Sequence, residues 1–268
     1  MSIDKEKLKE ELLKSIKITG FPLELAVGKI FLDRAWNTSH SEYYIDKEDG
    51  RAKEIDICAY NHIFDRENNI SVGLHLICEI KNTEGRPWVV FSTNKQKFEG
   101  GGWRRLHYQR GIDSKILSGT SIDNNSTFME FKRLGRTYHE GFKSENDDSR
   151  IFKALISSIK AAEDCLEDNK EAMDKLCLSP KDKEIIFLDP IIVISGFLFE
   201  AFLNEQETIE LNEIKHIIVY SDYNSPKYHE HQCIIDIVTI DELPNLLTKK
   251  ERWINGIYKE ILKNKTSA

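Results

Sequence analysis

Apolar residues recur along this chain at two spacings, and the switches between them mark its elements. Leu8, Leu12, Leu13 and Ile16 lie at helical intervals, so residues 4–17 read as an amphipathic helix. Thr19-Gly20 interrupts it. Pro22 then suits the first turn of a second helix over about 22–35, with Leu23, Val27, Ile30 and Phe31 as its buried stripe. Strands are predicted at about 40–46, 52–60 and 71–81, with a turn at Asp46-Lys47-Glu48-Asp49-Gly50 and a reversal at Asn68-Asn69. Residues 87–92 form another strand. From 94 to 147 the pattern loosens around Gly100-Gly101-Gly102 and Asp123-Asn124-Asn125-Ser126, which predicts long loops with short helices. Ile151, Leu155, Ile159, Ala162 and Leu166 restore helical spacing over 148–176. The nearly unbroken apolar run 184–194 is what a strand buried on both faces looks like. Strands at 197–203, 215–221 and 232–240 and a helix over 241–263 complete the pattern. It describes a single α/β domain over 1–268 with an insertion at about 94–147.

Composition narrows the class. Hydrophobic residues make up 40% and charged residues 31%, enough apolar material for a sizeable core. No stretch of about 18 apolar residues is present, so no membrane partner is expected. Met1 to Glu6 is charged where a signal peptide needs an apolar run. The five cysteines form no CxxC pair, which points to a reduced, cytoplasmic protein without a thiolate zinc site. The net charge of −7 argues against indiscriminate coating of nucleic acid. The charge is uneven, however. Residues 95–143 hold ten Lys/Arg against five Asp/Glu, a net of +5, and the rest of the chain carries −12. A local basic field can grip phosphate whatever the total charge.

The chemistry concentrates in Glu54-Ile55-Asp56-Ile57-Cys58 and Leu76-Ile77-Cys78-Glu79-Ile80-Lys81. On a strand, Glu79 and Lys81 share a face, roughly 7 Å apart. Asp56 lies on the preceding strand, which can pair antiparallel with that of Glu79. Ile55, Ile57, Cys78 and Ile80 are expected on the opposite, buried face. Two carboxylates about 4 Å apart repel by about 4 kcal/mol at an effective dielectric near 20, and a divalent cation relieves that repulsion. A few oxygen ligands favour Mg²⁺ or Mn²⁺. Glu130-Phe131-Lys132 and Glu213-Ile214-Lys215 repeat the tripeptide, but only Glu79-Ile80-Lys81 ends an apolar strand with an acidic strand upstream. A surface hairpin with a cross-strand salt bridge is the bland alternative. For Glu24 it is an acid stabilised by the helix dipole. Glu54 shares a face with Asp56 and reads as the partner of a nearby Lys or Arg.

The order of a Glu24-bearing helix, a strand, the Asp56 strand and a strand ending in Glu79-Ile80-Lys81 resembles the PD-(D/E)xK nuclease superfamily. The resemblance covers about residues 20–92. Asp56 matches the motif aspartate, Glu79 and Lys81 the (D/E)xK, and Glu24 the first-helix glutamate of many members. Ile55 stands where a proline often precedes the aspartate. The resemblance implies a restriction-endonuclease-like αβββαβ core, a mixed sheet flanked by helices, followed here by C-terminal strands and a helix. It implies a Mg²⁺-dependent (or Mn²⁺-dependent) endonuclease acting on DNA. Asp56, Glu79 and Glu24 would hold metal, and Lys81 would assist the attacking water or the charged phosphorus. Rival readings are a catalytically silent nucleic-acid-binding module of the same fold and an RNA-directed nuclease. A homodimer is possible for a double-strand cutter.

Cations and aromatics interleave in Lys95, Lys97, Trp103, Arg104, Arg105 and Arg110, which makes these the candidate phosphate- and base-contacting residues. The alternative is a loop whose aromatics pack on the core. No GK[ST] follows the three glycines, so this is no phosphate loop. His229 and His231 flank Glu230, and such a pair without further ligands reads as an exposed strand end.

Overall fold

The computed structural model describes residues 4–96, 105–112, 130–143, 149–175, 182–228 and 232–266. Two helices, α1 (Lys5–Lys17) and α2 (Phe21–Leu32), precede β1 (Asn37–Ile45), β2 (Ala52–Asp65), β3 (Ile70–Lys81) and β4 (Trp88–Asn94). Then come β5 (Leu106–Arg110), β6 (Arg133–Glu140), α3 (Arg150–Lys175) and β7 (Lys183–Ile194). The chain continues through β8 (Leu198–Leu203), β9 (Ile209–Ile214), β10 (His216–Asp222), β11 (Gln232–Thr239) and α4 (Leu243–Thr266). The result is a mixed α/β architecture with four described helices. One eleven-stranded mixed sheet runs in the order β1-β2-β3-β7-β11-β10-β6-β4-β8-β9, with β5 also on β7.

β7 organises the sheet. One edge pairs parallel with β3 from Ile70↔Lys183 to Lys81↔Ile194. The other edge is shared: β5 takes Glu184 to Leu188 antiparallel, and β11 takes Ile191 to Ile194 parallel. Pro190, which has no N–H to donate, falls in the gap between them. Both faces of this centre are covered. On one, Val27 and Phe31 of α2 and Leu246, Trp253 and Ile257 of α4 pack on Ile57, Leu74, Leu76 and Phe187. On the other, Ala161, Ala162 and Leu166 of α3 pack on Ile55, Cys58, Ile77 and Leu188. The N-terminal half of α3 meets Trp88, Val90, Ile194, Ile217 and Ile235. Burial on both sides explains why 184–194 reads as a continuous apolar run.

The expected helices and most strands are present, with ends displaced by a few residues. Two departures matter. Residues 94–147 hold β5 and β6, both paired into the sheet, where loops and short helices were expected. β9 was also missed. It is an exposed edge strand carrying Glu210 and Glu213, charges that discourage further pairing. The apolar stripe of α1 is not buried: Leu8, Leu12, Leu13 and Ile16 are all exposed. No described helix is long and apolar enough to cross a membrane.

Candidate functional site

The β2–β3 ladder runs from Asp65↔Ile70 to Ile57↔Cys78 and stops there. The next position would set Asp56 opposite Glu79. On its other edge, β2 pairs with β1 through His40↔Ile57 and Glu42↔Ile55 but not through Ser41 and Asp56, and Ser41 is left-handed with φ 53°. β2 therefore leaves both neighbours at Asp56. The Asp56 side chain replaces the lost ladder bond: its Oδ2 accepts from the Ile80 N–H at 2.6 Å. This local break corrects one expectation. Ile55 does not share the face of Ile57. It packs with Cys58 and Ile77 on the α3 side, because the alternation slips by one at Asp56.

Glu79 and Lys81 close the arrangement. Lys81 Nζ donates to Glu79 Oε2 at 2.6 Å and reaches Asp56 Oδ2 at 3.4 Å. Glu79 points toward α3, where the Ser157 hydroxyl donates to its Oε1 at 2.6 Å. Only 8% of its side chain is exposed. Burial pushes the Glu79 carboxyl above its usual range; Lys81 opposes this, and Asp56 adds to it. Burial would lower Lys81, but Glu79 and Asp56 outweigh that and hold the ammonium above its ordinary value. Lys81 is therefore held as a cation by the two carboxylates in this arrangement.

Glu24, in the first turn of α2, faces the same centre. Burial raises its carboxyl, repulsion from Asp56 and Glu54 raises it further, and Lys81 lowers it. Gly20 leaves room for it, since a Cβ there would lie 3.1 Å from Glu24 Oε1. Glu54 is exposed and adds negative charge to this group, and no ion pair joins it to a cation among the described residues. Asp56 and Glu79 are thus joined through the Lys81 ammonium, and Glu24 lies near enough to feel the charges of Asp56 and Lys81. Among the described residues, no three His, Cys, Asp or Glu side chains converge closely enough to hold a metal as they stand. The donor chemistry nevertheless suits a hard cation: Asp56 and Glu79 already share one positive group, the Lys81 ammonium. Asp56 and Glu79, with Glu24 beside them, are the residues that could hold a divalent ion.

The raised carboxyls make a stability prediction. A carboxyl that holds its proton more tightly when folded stabilises at low pH, and that contribution fades as pH rises through its folded pKa. The Glu79 and Glu24 contributions should therefore fall as pH climbs from the ordinary carboxylate range toward neutrality, against the gain from lowered carboxyls such as Glu48 and Asp236. Glu79→Gln should flatten that loss. Melting curves in chelator across pH 4–8 check it, and identical slopes in the two proteins would refute the assignment.

The described members of the basic set, Lys95, Arg105 and Arg110, do not gather at the carboxylates. Arg105 is corrected outright: its guanidinium is 1% exposed, ion-paired to buried Asp189 and stacked 4.5 Å over the Trp253 ring. It belongs to a seam with Lys250, which bonds Asp189 at 2.5 Å and Asp236 at 2.6 Å, while His216 meets Asp236 at 2.7 Å. These groups fill the gap where β5 and β11 share the edge of β7. Arg110 is also misplaced for a role at the carboxylates. It sits opposite Glu184, itself beside Ser71, eight positions before Glu79 on β3. That is roughly 26 Å along the strand. Lys95 follows the far end of β4, where its N–H bonds the Lys132 carbonyl. Lys97, Trp103, Arg104 and the His229-Glu230-His231 cluster lie outside the described residues.

The fold supplies residues that the sequence pattern did not. Ser157 orients Glu79 from a helix distant in the chain. Tyr44, its hydroxyl pushed up to about 12 mainly by burial, lies against Ser157 and near Glu79. Arg150 donates to the Asn82 carbonyl at 3.2 Å, one residue past Lys81, and is held by Glu140 through Nε. No short-range signal marks these residues, because each meets the site only through tertiary contacts. No protein-family model, curated protein or solved structure matches the chain.

Proposed function

We propose that this protein is a metal-dependent nuclease of the PD-(D/E)xK kind, an endonuclease hydrolysing phosphodiester bonds in DNA. The observation that carries the reading is the Lys81 ammonium lodged between Glu79 and Asp56 at the end of β3, with Glu24 facing them. A surface salt bridge needs neither the strand break at Asp56 nor a buried glutamate fixed by Ser157. The order α2-β1-β2-β3-α3-β7 also follows the αβββαβ core that the resemblance implies, with β4 to β6 inserted before α3.

A bound Mg²⁺ or Mn²⁺ would polarise the phosphate and lower the pKa of a water. Asp56 and Glu79 would hold it, with Glu24 completing the shell directly or through water. Ser157 fixes Glu79 and the Ile80 N–H fixes Asp56 beside one another, and a closing movement toward Glu24 would bring the three carboxylates around the ion. Lys81 would place an ammonium where negative charge grows on the phosphorus.

The test is incubation of purified protein with plasmid and linear DNA, with Mn²⁺ and with chelator. Wild type should nick or linearise the plasmid only with metal, and Glu79→Ala should leave it intact. Equal cutting by the variant, or none by wild type across Mg²⁺ and Mn²⁺, would overturn the reading.

A further inference from the structure

β6 and β10 are joined by a single pair, Val219↔Gly135, and then diverge. A bulge in β6 beside Phe91 and Ser92 accompanies the divergence, leaving Arg136 outside the β4–β6 pairing. The opening is a cleft of about 380 Å³ lined by Arg136, Tyr138, Phe152, Ile156, Tyr220 and Tyr223. Asp222 adds an acceptor to the lining. Arg136 lies 5.8 Å from the Tyr220 ring. Phe152, on the α3 wall, is 51% exposed, so its ring face is open to a flat aromatic ligand entering the cleft.

The cleft and the carboxylates lie on opposite flanks of one helix. Ser157 of α3 touches Glu79, while Phe152 and Ile156 of α3 line the cleft. Between these two flanks, at helical spacing of about 100° per residue, the solvent side of α3 presents exposed Lys153. A helix is about 10 Å across, comparable with three base steps of a stacked strand. A strand could therefore lay a phosphate at the carboxylates, pass Lys153 and set a base in the cleft. Aromatic rings with an adjacent guanidinium are the chemistry that stacks on an unpaired base and accepts any of the four. A base-paired duplex cannot enter, because its π-faces are already stacked.

We propose that the β6–β10 cleft holds an unpaired base of a single-stranded or frayed DNA substrate. This rests on the nuclease reading for the route across α3, but base binding itself does not require cleavage.

The test is fluorescence anisotropy in chelator, using a labelled 20-mer single strand and a blunt duplex of the same sequence. Wild type should prefer the single strand. Phe152→Ala, an exposed change, should weaken single-strand binding at least about fivefold, leaving duplex binding and melting temperature unchanged. Phe197→Ala, at another exposed phenyl ring, should alter neither. Undiminished single-strand affinity in Phe152→Ala, or no single-strand preference in wild type, would overturn the proposal. The two readings fail separately. If Phe152→Ala loses single-strand affinity but wild type cuts nothing with Mn²⁺, the nuclease falls and the base site stands. If wild type cuts and Phe152→Ala binds and cuts single strands equally well, only the base site falls.

Discussion

Lys81→Ala is expected to slow DNA cleavage by about a hundred- to a thousandfold while DNA binding stays near wild type. That is the usual range for removing one preorganised charge-stabilising group from a site. Two features favour the upper part of it. The ammonium is held by Glu79 and Asp56 at 2.6 and 3.4 Å, so it needs no reorganisation to act. It also cannot be replaced from nearby, because Arg150, beside Asn82, is already tied to Glu140. Lys81→Arg should recover only part of the rate, since a planar guanidinium does not fit the position of a compact ammonium. Initial rates on a plasmid at saturating Mn²⁺, with binding measured separately in chelator, distinguish the charge role from a loss of substrate. If Lys81→Ala cut as fast as wild type, Lys81 would be only the counter-ion of two acids.

The largest effect on stability is expected far from that site. Asp189→Ala should cost roughly 3–5 kcal/mol, because it strands the Arg105 and Lys250 charges in the protein interior. Asp189 and Asp236 are both held below the ordinary carboxylate range. Burial alone would raise them, but Arg105 and Lys250 outweigh it at Asp189, and Lys250, His216 and Arg105 do so at Asp236. For a chain of this size the change corresponds to a fall in melting temperature on the order of 10 °C. Asp189→Ala combined with Arg105→Met should regain part of it, since one buried opposite-charge pair is then removed together and Lys250 keeps Asp236 as its partner. Thermal melts of the single and double variants decide the matter, and a single variant that melts within a degree or two of wild type would show that the seam is not buried as described. The same seam explains why Arg105 does not contact phosphate. Its charge is spent inside the sheet, where β5 and β11 part around Pro190.

Local pattern alone determined much of this protein. The spacing of Val27 and Phe31, the apolar run 184–194, and the alternation ending at Glu79-Ile80-Lys81 each depend on neighbours close in the chain. Helices, most strands and the acidic–basic cluster of Asp56, Glu79, Lys81 and Glu24 were therefore legible. Tertiary structure alone decided the rest. β5, β6 and β9 are short and rich in polar residues, so their state comes from the strands they pair with. The slip at Asp56 arises because its side chain competes for a ladder bond with β3. The partners Ser157, Tyr44 and Arg150 arrive from elements that sequence spacing cannot bring together. A cation-rich sequence likewise says nothing of where each charge finishes, because burying Arg105 depends on Asp189 and Asp236, one more than 80 and the other more than 130 residues away. Periodicity fixes which face a residue takes only where the ladder is unbroken, whereas long-range packing decides where it breaks, as at Asp56, and what each face meets.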